Sequence, residues 1–293
     1  MGVADTLGFI LRHPLNRGGR ARALGRFLRW QFTTRLSRVP VAFPFVEGTR
    51  FLAERGMTGA SGNYYCGLHE SEDMAFVLHF LRPGDVFYDV GANIGSYTLL
   101  AAAAGAEVQA FEPSPATSAR LRRNVELNGI ADRVAVHECA LGAQDGVVEF
   151  SQGADTTNHV LAAGEDRGAA DRVAMRRFDD SFRADRPGFI KIDVEGFEEQ
   201  VLAGATGALA SAALRGVLVE DNGSDGRYGG SHGAPGVLLE AGFSVFRYDP
   251  QRRELAPGRV GQGTANLLFL RDAAEAGERV RGARRFKLVN GWI

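Results

Sequence analysis

Two cysteines, two lysines and no long apolar run are what this sequence of 293 residues offers, and each scarcity excludes something. Cys66 and Cys139 make neither a disulfide framework nor a cysteine-based metal cluster, and each reads as a small buried apolar residue. No stretch approaches the ~20 apolar residues that a spanning helix needs. The start, MGVADTLGFILRHPLNRGGR, lacks the basic-then-apolar order of a secretory signal. A reducing, cytoplasmic compartment is the expectation. Lysine is confined to Lys191 and Lys287, and the other 32 basic residues are arginines. Beside so much Ala and Gly, that bias reads as genomic base composition.

Charge of one sign is also scarce overall, with a net of -1, but its distribution is uneven. The first 40 residues carry a local +7, the last 23 carry +3, and residues 41–270 carry -11. An acidic centre excludes a nucleic-acid acceptor, whose site would need a positive groove. The basic ends remain open to membrane or partner contact.

What is present is a regular alternation. SEDMAFVLHFL (71–81) predicts a helix capped by Ser71 and stopped by RPG. DVFYDV is a strand, IGSYTLLAAAA a helix ended by Gly105, and AEVQAFE a second strand. A helix with Pro115 near its start and Gly129 at its end leads to a third strand, RVAVHECA. GFIKIDV and RGVLVED are the fourth and fifth strands, with a helix from about Phe197 between them. FSVFRYD and TANLLFLR follow with no helix between them, which predicts an antiparallel pair. The expected fold is therefore α/β: a mostly parallel, Rossmann-like sheet covered on both faces and closed by an antiparallel C-terminal pair. A polar, Gly-rich insertion spans 151–171, a length at which loops are functional or disordered.

The turn after the first strand reads Asp89-Val90-Gly91-Ala92-Asn93-Ile94-Gly95. A dinucleotide site wants G-x-G-x-x-G there, and neither the paired G-x-G nor the third glycine is present. Asp89 would repel a pyrophosphate but suits a ligand with an amino group. Glu112, 21 residues beyond Gly91, stands where a carboxylate accepts ribose hydroxyls. A ribose, an ammonium and a sulfonium without phosphate describe S-adenosylmethionine. A nicotinamide-dependent oxidoreductase is correspondingly disfavoured.

The segments YDVGANIGSYTLLAAAAGAEVQAFEP, NVELNG, ECALG and IKIDVEGFEEQVLAGA resemble the FkbM family of class I methyltransferases, over about 70–270. That resemblance implies a seven-stranded class I methyltransferase fold, S-adenosylmethionine as cofactor, and O-methylation of a hydroxyl on a sugar, glycan or polyketide metabolite. By matching motifs it implies that Asp89, Gly91, Ala92, Asn93 and Gly95 line the cofactor, with Glu112 on the ribose and Pro113 beside it. Glu138, Cys139 and Ala140 would lie along the adenine. Glu70 matches a family glutamate near the cofactor, and a solvated acid beside a helix start is the alternative. On this reading residues 1–60 are a basic N-terminal helical extension, 61–271 the methyltransferase domain and 272–293 a basic tail.

Methyl transfer to an alcohol needs an aligned acceptor and a group to take its proton. Asp193 and Glu195 fall at the carboxyl end of the fourth strand, where such groups belong. Both could instead serve the next helix, Asp193 as its cap and Glu195 at its N-terminus. His159 and His232 lie in polar loops and either could be the base, since histidine titrates near neutrality. Asp221-Asn222 resembles the acid–amide pair of metal ligands in catechol-type O-methyltransferases, a resemblance that implies Asp193 as the third ligand of an Mg²⁺; a plain turn at Asn222-Gly223 is the favoured reading. In ARALGRFLRWQFTTRLSR, Leu24, Phe27, Leu28, Phe32 and Leu36 recur at helical spacing among Arg20, Arg22, Arg26 and Arg29. Such a helix can lie on the inner face of an anionic membrane, or pack on the domain or in a homodimer interface. A non-catalytic cofactor-binding module docked at a membrane is the remaining alternative, and the intact IKIDVEG disfavours it.

Overall fold

Residues 86–90 read VFYDV, apolar but for one acid, as suits a strand covered on both faces. The computed structural model describes residues 2–37, 39–54, 57–151, 159–161, 170–220, 233–261 and 266–293, and in it all five of those residues are buried. Ahead of them come α1 (Val3–Arg12), α2 (Arg20–Leu36), β1 (Val41–Pro44), β2 (Arg50–Ala53), α3 (Thr58–Cys66) and α4 (Ser71–Phe80). The run VFYDV is β3 (Val86–Val90), followed by α5 (Ser96–Ala104), β4 (Glu107–Phe111), α6 (Pro115–Leu127) and β5 (Val134–His137). A side arm consists of β6 (Ala140–Leu141), β7 (Gly146–Ser151) and β8 (Ala170–Arg176). The second half adds β9 (Gly188–Ile192), α7 (Glu198–Ala203), α8 (Thr206–Ala210), β10 (Leu214–Glu220) and α9 (Gly233–Glu240). It ends with β11 (Ser244–Asp249), β12 (Glu254–Pro257), β13 (Asn266–Leu270), α10 (Ala273–Arg281), β14 (Lys287–Leu288) and β15 (Gly291–Trp292).

The main sheet has the order β12-β11-β13-β10-β9-β3-β4-β5. β5, β4, β3, β9 and β10 run parallel. β13 is antiparallel to β10, and β11 antiparallel to β13, as the sequence predicts. Seven of these strands are the predicted ones. The eighth, β12, is a four-residue edge strand that pairs antiparallel with β11; it is mostly exposed and lacks the apolar pattern that marks a strand.

The local signals act largely as expected. Gly105 closes α5 at φ 99°, and the Ser114 hydroxyl accepts from the Thr117 amide at the start of α6. At α4 the helix begins at Ser71, so the capping position belongs to Glu70, which makes no side-chain cap. Of the insertion at 151–171, the described residues include the end of β7 and the start of β8. β7 and β8 pair antiparallel with β6 alongside, and Phe150 bridges to Val160.

One hydrophobic core runs from Ile10, Phe27 and Trp30 through Leu99 to Val280 and Phe286 on one face of the sheet. The N-terminal helices and the C-terminal segment thus share a core with the sheet. Asn290 ties them together, its Nδ2 lying 3.0 Å from Leu15 O and 2.7 Å from Cys66 O. Arg279 pairs with buried Asp85 at 2.6 Å. In α2 the predicted apolar stripe divides in two. Ala23, Phe27, Trp30 and Thr34 are buried, whereas Leu28, Phe32 and Leu36 are exposed. Adjacent helical residues sit about 100° apart, so Phe27 and Leu28 cannot share a face.

Candidate functional site

β4 lies on one side of β3 and β9 on the other, so the chain reverses direction across the sheet at this point. Such a switch leaves a crevice outside the carboxyl ends of the strands. A cavity of about 270 Å³ opens there, lined by the turn after β3, the ends of β4, β9 and β10, and the start of α4.

Gly91 makes one wall possible. Its φ is 77°, and a Cβ there would stand 1.8 Å from the Asp193 carbonyl oxygen, so only glycine lets this turn meet the end of β9. Asn93, also left-handed at φ 50°, donates its amide to Glu112 Oε2 at 2.9 Å. Glu112 Oε1 accepts from the Ser114 amide at 2.9 Å. Burial pushes the Glu112 carboxyl up to about 7; these backbone donors oppose the rise and the Asp89 and Asp193 charges add to it. Asp89 accepts from the Thr98 hydroxyl at 2.6 Å, while its Oδ1 is buried with no hydrogen-bond partner among the described residues.

Ala92, Pro113, Cys139 and Ala140 line the same cavity, as does Glu70. Glu70 accepts from the Tyr97 hydroxyl at 2.6 Å, which places it in the site rather than in solvent. Gly95 and Glu138 do not line it. A Cβ on Gly95, at φ 97°, would meet Leu121 Cδ1 at 2.4 Å, so this glycine serves the packing of α5 on α6. Glu138 is exposed beside buried Cys139; successive residues of an extended chain face opposite ways.

An ammonium and a ribose diol fit this half. The orphaned Asp89 Oδ1 can receive the first, and the Glu112 carboxylate, fixed by two backbone donors, has lone pairs left for the second. Because Glu112 is partly protonated near neutrality, ligand binding must expel its proton. S-adenosylmethionine affinity is therefore expected to weaken as pH falls, by up to about tenfold per unit below about 7. Titration calorimetry in buffers of different ionisation heat would read the released proton, and a dissociation constant flat from pH 5 to 8 would remove Glu112 from the ligand.

The other half is built at the ends of β9 and β10. Lys191, buried inside β9, donates to Asp193 Oδ2 at 2.6 Å and lies 5.0 Å from the Tyr97 ring centre. Burial opposes the lysine's charge, but the carboxylates of Asp193, Asp89 and Glu70 outweigh it and raise its pKa. Asp193 is correspondingly lowered: burial works against ionisation, and Lys191 together with a hydrogen bond to Glu220 wins. Carboxyl oxygens of Asp193, Glu195 and Glu220 lie within 4.8 Å of one another. Glu195 is shifted the opposite way from Asp193, raised by burial and then by the charges of Asp193 and Glu198.

The helix-capping alternative is carried by a different residue. Glu198 Oε1 accepts from the amides of Val194 and Gly196 at 3.3 and 3.0 Å, which leaves Asp193 and Glu195 facing the cavity. His159 is half-buried, its amide donating to Ser151 Oγ and its carbonyl accepting from the Ser151 amide, both at 2.9 Å, and Val160 is the neighbour that lines the cavity. Asp221, Asn222 and His232 lie outside the described residues. Of the Mg²⁺ set only Asp193 is described, and one of its oxygens already holds the Lys191 ammonium. Sequence reasoning missed Lys191, Tyr97 and His69, all three of which line the cavity.

Residues 89–244 match the methyltransferase FkbM domain. The 31-O-demethyl-FK506 methyltransferase FkbM of Streptomyces tacrolimicus is 33% identical over 185 residues, covering 51% of this chain and 70% of that protein. The hexuronic acid methyltransferase AglP of Haloferax volcanii is 30% identical over 154 residues, covering 52% of this chain and 62% of its own. A solved SAM-dependent O-methyltransferase from Thermotoga maritima overlaps 67% of this chain and 63% of its own at 15% identity, with a TM-score of 0.34. That last likeness is too loose to carry an argument. The matched span of 89–244 contains Asp89, Glu112, Lys191, Asp193, Glu195 and Glu220.

Proposed function

The chain belongs to the FkbM family of methyltransferases, and on that premise we propose that it methylates a hydroxyl of a sugar, glycan, or glycosylated or polyketide metabolite. S-adenosylmethionine, when bound, supplies a methyl group already activated by its sulfonium charge. Asp89 and Glu112 hold that cofactor, with the Gly91 turn and Ala140 against it. The protein's remaining tasks are to align the acceptor oxygen and to receive its proton.

The observation that carries this reading is the divergence of Asp193 and Glu195. Two carboxyls at one site with pKa values driven apart mark an acid–base division of labour. Asp193, kept ionised by Lys191, is a weak base and a fixed negative charge that orients the acceptor. Glu195, raised and half-buried, is the better proton acceptor. Of the two relatives, one acts on 31-O-demethyl-FK506, a substrate that lacks a methyl group on an oxygen, and the other on a hexuronic acid; the first supports an oxygen as the methylated atom.

Transfer from methyl-labelled S-adenosylmethionine to a panel of neutral sugars, uronic acids and macrolides is expected to give a methoxy carbon signal by NMR. Label on nitrogen, sulfur or carbon instead would end the O-methylation reading.

A further inference from the structure

We propose that the outer face of α2 docks the protein on an anionic lipid bilayer. α2 is apolar on two opposite sides. Its inner side is consumed by the core: the Trp30 ring centre lies 4.4 Å from that of Phe43, the two planes tilted by 33°, and Arg26 Nη2 donates to Tyr65 O at 2.6 Å. Its outer side presents Leu28, Phe32 and Leu36 at 65%, 69% and 68% exposure. A helix set on a globular core ordinarily turns a polar face to water. Large apolar side chains grouped on an exposed face mark an interaction surface.

The charges beside the stripe identify its occupant. At about 100° per residue, Arg22 and Arg29 fall along one flank and Arg35 along the other. All three are exposed, as is Arg20 at the first turn. From residue 6 to residue 46 the sequence contains no acid. An apolar strip bordered by arginines matches the boundary between acyl chains and anionic headgroups. A second copy is a poorer fit, because a two-fold interface would press the same arginines together. No described helix is long and apolar enough to cross a membrane, and α2 spans only about 25 Å, so the contact is peripheral. The inner face of α2 is fixed in the core, so docking would also orient the whole protein on the surface.

The test is sedimentation of the full chain with vesicles of phosphatidylcholine alone and of equal parts phosphatidylcholine and phosphatidylglycerol. Binding is expected only to the anionic vesicles and should weaken in raised salt. Leu28→Glu and Phe32→Glu should each weaken it by about tenfold or more, and Arg22→Glu with Arg29→Glu should abolish the anionic preference. These positions are exposed and remote from the cavity, so circular dichroism and S-adenosylmethionine affinity should be unchanged in every variant. Equal binding to both vesicle types, no binding to either, or a Phe32→Glu variant that binds as well as the parent would overturn the proposal. So would a dimer in solution that Phe32→Glu splits, since the stripe would then belong to a second copy.

Discussion

Glu195→Gln is expected to lower turnover by ~10²–10⁴-fold while leaving S-adenosylmethionine affinity nearly intact. Glutamine keeps the shape and polarity of the side chain and removes only its capacity to accept a proton. Backbone geometry gives a second reason to expect a large effect. Glu195 holds a φ of 54°, a left-handed conformation that costs a non-glycine residue about 1–3 kcal/mol and persists where the surroundings impose it. A base acts only when ionised, and burial raises the Glu195 carboxyl from its ordinary 4.5. In the parent protein the rate should therefore fall with acid through a midpoint above 4.5, and that limb should vanish in the variant. Because Glu198 makes the backbone contacts at the head of α7, the variant should fold normally. Turnover within a few-fold of the parent would move the proton to another group, with Glu220, whose carboxyl lies within 4.8 Å, the next candidate.

The second large effect concerns stability. Lys191→Met should destabilise the fold by ~1–3 kcal/mol at neutral pH, because it strips the cation from buried Asp89 and from Asp193, whose side chain at 34% exposure is partly screened by water. The lysine side chain is 6% exposed and its ammonium faces Asp193 directly. With methionine of similar length, the Asp193 and Asp89 carboxylates lose the cation that their burial depends on. The signs of the shifts define the pH window. Lys191 is raised, so its contribution is lost only as pH rises through that raised value; Asp193 is lowered, so its contribution is lost only as pH falls through that lowered value. Between those limits the parent keeps the pair. In the variant Asp193 can protonate as pH falls, so the gap to the parent should narrow in acid. Denaturant unfolding at pH 8 and pH 5 measures both arms; equal midpoints at pH 8 would show that Lys191 does not neutralise this cluster.

The parallel half of the sheet was legible because its strands are buried on both faces and read as apolar runs punctuated by glycine. Gly105 and the pair Ser114-Pro115 then mark helix ends by local chemistry. That Asp89, Gly91 and Glu112 line one cavity was legible for the same kind of reason. Asp89, Gly91 and Glu112 stand at strand ends, and strand ends converge. Gly95 and Glu138 were misplaced because neighbours in a motif do not share a direction. One faces Leu121 and the other faces water.

Lys191 was the missed signal. A lysine within GFIKIDV, in a chain with only one other lysine, breaks an otherwise apolar strand, and a buried charge demands partners. Its partners Asp89 and Glu70 are 102 and 121 positions away, where no periodicity argument reaches. The side arm of β6, β7 and β8 was hidden for a related reason: among the described strands GVVEFS pairs with ADRVAMR and ADRVAMR with β6, neither joins the main sheet, and each has a single buried residue. In α2 the spacing marked a helix correctly but could not say that Trp30, rather than Leu28, faces inward.

The contact between Asn290 and Leu15 spans 275 positions of sequence, and that separation bears on time rather than on affinity. The cost of closing a loop rises with its length, by ~0.6 kcal/mol per doubling, and is met before the contact gives anything back. The seam formed by β14 and β15, with Glu47 donating its amide to Lys287 and accepting from Arg284 at 2.8 Å, is accordingly among the last parts to assemble. Interactions absent from the folding transition state leave the folding rate almost untouched and slow the reverse reaction. The seam therefore governs how long the native fold survives between openings, while β3, α5 and β4, which contact one another within a short span of sequence, govern how quickly it forms.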